Sequence, residues 1–148
     1  MLAQIVDGRN PLFFYCQDLF DYAKLHGKTR FLLIINKSDL IEPALRLAWN
    51  HYFKKEAIDH CFFTAKEEAW TESEEAIPLN TPEVLSPHQL VEVLRALKDE
   101  NGKVEIGLTG YPNVGKSSVI NAVLGKKKVG VASMPGKTKH FQTLKLTE

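Results

Sequence analysis

Apolar residues change their spacing several times along this chain of 148 residues. Residues 3–6 (AQIV) make a short strand candidate that ends at Asp7-Gly8-Arg9-Asn10-Pro11. Apolar positions then fall at Leu12, Phe13, Cys16, Leu19, Phe20 and Ala23, the spacing of one helical face, and Gly27 closes that helix. Residues 31–35 (FLLII) are apolar without a break, as expected of a strand buried on both faces of a parallel sheet. Pro43 opens a helix over 43–56 that places Leu45, Trp49, Tyr52 and Phe53 on one side. Cys61-Phe62-Phe63 is a further strand. This alternation of strand and helix predicts an α/β sheet.

Residues 66–85 interrupt the pattern. They are acidic, contain Pro78 and Pro82, show no periodicity, and read as a surface linker. Ser86 and Pro87 then supply an N-cap and a first helical residue for a helix bearing Leu90, Val93, Leu94 and Leu97. Asn101-Gly102 ends it. Residues 104–108 form a strand that leads into a glycine loop, and 117–124 form a helix. Residues 125–142 are rich in Gly and Lys and irregular, and 142–146 start a further strand. The length predicts a single domain over 1–148.

Apolar content of 44% and charged content of 25% are ordinary globular values. The apolar runs are far shorter than the roughly 18 residues of a membrane span, so no membrane role is expected. Two cysteines 45 residues apart indicate neither a zinc site nor a disulfide framework; Cys61 reads as a buried thiol, and a cytoplasmic setting is expected. Net charge is +1, unevenly spread. Residues 66–100 sum to −6 and residues 101–148 to +6. A phosphate site accounts for a few of those lysines. Lys126, Lys127, Lys128, Lys137, Lys139 and His140 are either a solvated loop or a surface for RNA phosphates.

Gly110-x-x-x-x-Gly115-Lys116-Ser117 follows an apolar strand and precedes a helix, the context a phosphate loop requires. Backbone amides turned inward by the two glycines, with the helix N-terminus, hold the α- and β-phosphates. Lys116 reaches the β- and γ-phosphates, the Ser117 hydroxyl ligates Mg²⁺, and Ser118 is placed for the α-phosphate. The candidate residues here are Gly110, Asn113, Val114, Gly115, Lys116, Ser117 and Ser118.

Asn36-Lys37-Ser38-Asp39 ends the FLLII strand, where a doubly wound sheet places ligand groups. The Asp39 carboxylate can accept hydrogen bonds from the ring N–H and exocyclic amine of guanine, a donor pair that adenine lacks. Lys37 lies along the base, and Asn36 ties this loop to the phosphate loop. Thr64-Ala65-Lys66 follows the next strand and offers a backbone N–H to the guanine carbonyl. The base-reading stretch precedes the phosphate loop by 74 residues, the reverse of the usual guanine-nucleotide switch.

In that order the stretches VDGRNPLFF (6–14), INKSDL (35–40), FTAK (63–66), GYPNVGKSS (110–118) and PGKTKHFQT (135–143) resemble the circularly permuted GTPases of the YlqF/YawG group. The nearest branch is the eukaryotic one that acts late in maturation of the large ribosomal subunit. The resemblance implies a P-loop NTPase fold with a doubly wound, mostly parallel sheet, and GTP or GDP as ligand. It implies that Thr138 ligates Mg²⁺ and senses the γ-phosphate, and that Asn113 helps hold a K⁺ ion. Lys116, Thr138 and Asn113 would then be the catalytic set, with Ser117, Thr138 and Asn113 as metal ligands. Implied partners are the pre-ribosomal large subunit, its rRNA and proteins, and a nuclear export adaptor. The expected location is cytoplasmic, with the nucleus or nucleolus as alternative.

Gly8 and Thr64 stand where the family usually has alanine and serine. No Asp-x-Pro-Gly follows Thr138, so the GTPase domain is expected to be incomplete at its C-terminus, lacking one strand. Two functional classes follow. One is a GTP-hydrolysing switch in large-subunit maturation; the other is a GTP-binding, non-hydrolysing ribosome- or RNA-contact fragment. A small-molecule P-loop kinase is a third reading, disfavoured by Asp39 and the motif order.

Overall fold

The computed structural model describes residues 1–27, 29–66, 77–97, 104–124 and 142–146, with the backbone alone for 104 and 142–146. Strands are β1 (Leu2–Asp7), β2 (Phe31–Asn36), β3 (His60–Phe63), β4 (Val84–Leu85), β5 (Val104–Thr109) and β6 (Gln142–Leu146). Helices are α1 (Pro11–Phe14), α2 (Gln17–Leu25), α3 (Pro43–Lys55), α4 (Pro87–Ala96) and α5 (Lys116–Val123). The sheet order is β4-β3-β2-β1-β5-β6. The first five strands pair in parallel, and β6 lies antiparallel directly against β5. Successive strands step outward from β1 to β4, then β5 returns to the opposite side of β1. That reversal is the topological switch point at which α/β sheets bind ligands.

Alternation explains why the strands are apolar throughout. Ala3, Ile5, Leu32, Ile34, Cys61 and Phe63 enter one core with Leu90 and Leu94 of α4 and Val119, Ile120 and Val123 of α5. Leu2, Val6, Phe31, Leu33, Ile35 and Phe62 enter the other with Phe20 and Ala23 of α2 and Phe53 of α3. β1, β2 and β3 therefore bury both faces, the doubly wound arrangement. Cys61 is buried as expected, and burial pushes its thiol up to about 12. Trp49 is partly buried, stacked on Phe53 at 5.8 Å.

Three sequence expectations need correction. The helix expected over 12–23 is two helices, broken at Tyr15 and Cys16, whose backbones are extended. The cause is Gln4, wholly buried on β1. Its side-chain amide donates to the Phe14 carbonyl at 3.0 Å and accepts from the Cys16 N–H at 3.3 Å. A continuous helix would have used both groups internally. Leu12 and Phe13 consequently leave the expected apolar face and are 41% and 73% exposed. On α3 the inward residues are Asn50 and Phe53, while Leu45 is exposed.

The third concerns the acidic linker. Residues 67–76 lie outside the described residues, but 77–85 belong to the fold. The Asn80 side chain accepts from the His60 N–H and donates to Asp59, which fixes the approach to β4. The α4 start is as expected, with Ser86 as N-cap and Pro87 in the first turn; Gln89 adds a reciprocal contact that completes a capping box.

Candidate functional site

Four parallel strands end at one edge, and each delivers a short loop. β1 delivers Asp7, Gly8 and Arg9. β2 delivers Asn36, Lys37 and Asp39, with Ser38–Leu40 in a single 3-10 turn. Thr64, Ala65 and Lys66 follow β3, and Gly110 follows β5. The loops meet because β1 separates β2 from β5 by a single strand's width.

The phosphate loop is shaped by close approaches. A Cβ on Gly110 would collide with the Ile5 carbonyl oxygen, and one on Gly115 with the Asn36 side-chain amide. Gly115 also has φ 98°, the left-handed region where L side chains are strained. Asn113 adopts φ 65°, and Val114 is wholly buried beneath the loop. Lys116 bends back so that its ammonium donates to the carbonyls of Gly110 and Tyr111, at 2.7 and 2.8 Å. Burial lowers its pKa. Lys116, Ser117 and Ser118 form the first turn of α5, whose amides point at the loop. The donor set (amides, an ammonium, two hydroxyls) suits a polyphosphate.

The base loop is tied to this cradle. Asn36 donates its amide to the Val114 carbonyl at 2.9 Å, across 78 residues of sequence. Lys37, in the left-handed region at φ 60°, donates to the Asn113 carbonyl at 3.0 Å. Asp39 receives the Thr64 hydroxyl at 2.9 Å and lies 2.6 Å from the Lys66 ammonium. Burial raises the pKa of the Asp39 carboxyl, but the hydrogen bonds from Lys66 and Thr64 outweigh it, so the net shift is downward and favours the carboxylate. The Thr64 hydroxyl also accepts from the Lys66 N–H at 3.3 Å, fixing the turn that presents Ala65. Chemically, the edge offers an ionised acceptor pair about one loop away from a polyphosphate cradle.

Asn36, Lys37, Asp39, Thr64, Ala65, Lys66 and the loop from Gly110 to Ser118 are thus gathered at one edge. Thr138 lies outside the described residues, as do Lys126, Lys127, Lys128, Lys137, Lys139 and His140. Sequence reading missed Asp7. It is buried at the end of β1, opposite Asn36 in the ladder. Arg9 donates to both of its oxygens, at 2.9 and 2.7 Å, and Lys37 donates to one at 2.7 Å. Burial opposes ionisation, yet these donors hold its carboxyl far below the usual carboxylate range. The available signal was an acid immediately after an apolar strand.

The family described as 50S ribosome-binding GTPase matches residues 105–148. Large subunit GTPase 1 of Schizosaccharomyces pombe is 41% identical over 176 aligned residues, covering all of this chain and 28% of that protein. Its namesake in Saccharomyces cerevisiae is 38% identical with the same coverage. GTPase LSG1-1 of Arabidopsis thaliana is 36% identical, over all of this chain and 34% of that protein. The chain therefore spans about a third, or less, of the length of these curated relatives. With a P-loop at the switch point of a doubly wound sheet, and this identity along its whole length, the chain belongs to the large-subunit GTPase family.

Proposed function

We propose that this chain binds GTP and GDP and forms the hydrolytic core of a GTPase switch in large ribosomal subunit maturation. The observation that carries the reading is the Asn36 to Val114 hydrogen bond. It fixes the distance between a guanine-type acceptor, Asp39, and a phosphate cradle. Asp39 would accept from the guanine ring N–H and amine, and the Ala65 N–H would donate to the guanine carbonyl. The loop amides and Lys116 would hold the phosphates, and Lys116 regains a full charge partner there. Base loop before phosphate loop is the order of a circularly permuted GTPase domain.

Ser117 on α5, with Thr138, would hold Mg²⁺, which when bound neutralises charge on the phosphates. Asn113 would take part in holding K⁺ beside them; its side chain is exposed at the loop. The names of the relatives support a large-subunit partner. That partner would be reached through rRNA and protein contacts, and a nuclear export adaptor is a further proposed partner. Two free thiols, Cys16 and Cys61, fit a cytoplasmic setting.

Calorimetry with GDP, GTP and ADP tests the ligand. GDP should bind at least tenfold tighter than ADP, since two hydrogen bonds to a charged group are at stake. Equal affinities would remove the guanine assignment. Hydrolysis measured in K⁺ and in Na⁺, with and without large subunits, tests the switch. Equal rates in all four conditions would leave a nucleotide-binding module without it.

A further inference from the structure

We propose that Asp7 is a positioning residue for nucleotide binding, acting as the buried counter-ion that sets Lys37 between the base loop and the phosphate loop. The inference rests on the guanine-nucleotide reading above and adds a residue to that site.

Lys37 is a non-glycine residue at φ 60° and ψ 32°, a backbone that persists only where its surroundings over-determine it. The Lys37 ammonium makes two contacts that do this. One goes to the Asn113 carbonyl, in a residue that is itself left-handed at φ 65°. The other goes to Asp7, whose side chain is 3% exposed against 30% for Lys37. Asp7 therefore defines the fixed end of the contact and Lys37 the adjustable one. Asp7 is anchored three times over. Its backbone is the last rung of the β1–β2 ladder, opposite Asn36. The next residue, Gly8, donates its N–H to the Asn36 carbonyl at 2.7 Å. Arg9 grips the carboxylate in a fork and also donates its backbone N–H to it at 3.1 Å.

The result is a chain of contacts from the end of β1, through Lys37, to the turn of the phosphate loop. Asn36 makes a second, parallel link to the neighbouring Val114 carbonyl. Two adjacent carbonyls of the phosphate loop are thus held by two adjacent residues of the base loop. Only the Lys37 link is made by a charged group, and Asp7 supplies its counter-charge. Removing it frees the ammonium to leave the Asn113 carbonyl, so the stem that lies along a base loses its fixed course.

The test uses the 148-residue chain in a double-mutant cycle read on GDP affinity, with Asp7→Asn, Lys37→Met and the pair. Each single change should weaken GDP by about tenfold, and the pair by no more than either alone. Independent losses that multiply to about a hundredfold, or no loss in Asp7→Asn, overturn the proposal. Amine labelling followed by mass spectrometry reads the contact without nucleotide. Lys37 should label slowly in the wild type and several-fold faster in Asp7→Asn; an unchanged rate overturns the proposal. A wild-type chain that binds GDP no better than ADP overturns the guanine reading instead, and the labelling result then stands apart from it. Should Asp7→Asn not fold, Lys37→Met tests the same contact, because methionine keeps an apolar stem and removes the ammonium. A GDP affinity unchanged by Lys37→Met overturns the proposal.

Discussion

In the proposed site Asp39 would separate guanine from adenine through what it can accept, so altering that capacity should alter the ligand. Asp39→Asn replaces one acceptor oxygen with a donor. GDP affinity should fall by more than tenfold, since each hydrogen bond to a charged group contributes about 1.5–3 kcal/mol. Xanthosine diphosphate, which carries a carbonyl where guanine carries the amine, should gain affinity in the same calorimetric series. Gly115 gives a second residue-scale expectation. Gly115→Ala combines a left-handed backbone with a collision against the Asn36 amide. Strain of about 1–3 kcal/mol should lower the melting temperature and break the link between the two loops, abolishing nucleotide binding. Gly27→Ala is the comparison: it is also left-handed, at φ 48°, but meets open space. That variant should melt slightly lower and bind nucleotide as the wild type does.

The junction of α1 and α2 shows how one buried side chain overrides a periodic pattern. Gln4→Leu keeps the bulk but leaves the Phe14 carbonyl and the Cys16 N–H without their partner. A loss of about 2 kcal/mol in urea unfolding is expected, as two backbone groups exchange a protein partner for none. This junction also marks where sequence reading reaches its range. The phosphate loop, the Asn36–Asp39 stretch and the α4 N-cap were legible because each is specified by residues within a few positions of one another. The break at Tyr15 was not, since its cause lies on β1. Asp7 and Asn80 were missed for the same reason. Their roles arise from which strands become neighbours, and a short polar residue at a strand end looks alike whether it caps a turn or holds a distant lysine. Leu45 and Phe13 show the converse, apolar residues at helical spacing that the packing does not use.

At the scale of the molecule, His60 and Asp7 are two of the described ionisable groups that shape the response to acid. Burial lowers the pKa of His60, whose ring nitrogens lie 2.9 Å from the Ile58 carbonyl and 3.0 Å from the Asn50 side chain. The unfolded chain takes up that proton near the ordinary value of 6.5, whereas the fold resists it. Stability should therefore be flat above about pH 6.5 and decline as pH falls below it. Asp7 acts lower down. Its depressed carboxyl adds stability that is present above the ordinary value of 3.8 and lost as pH falls below it. Urea midpoints between pH 8 and pH 3 should show the first decline, and His60→Gln should remove it. The strand order has a consequence in time. β1 sits between β2, its near neighbour in the chain, and β5, whose Glu105 carbonyl meets Met1 across 104 residues. A chain emerging during synthesis completes the base-reading half first and leaves one side of β1 open until β5 is made. Docking of that strand brings Val114 to Asn36, so the base loop and the phosphate loop would meet in the same late event that covers the open side of β1. Nucleotide present during synthesis would then favour the state with β5 docked over its precursor, by the mass action that favours any state able to bind.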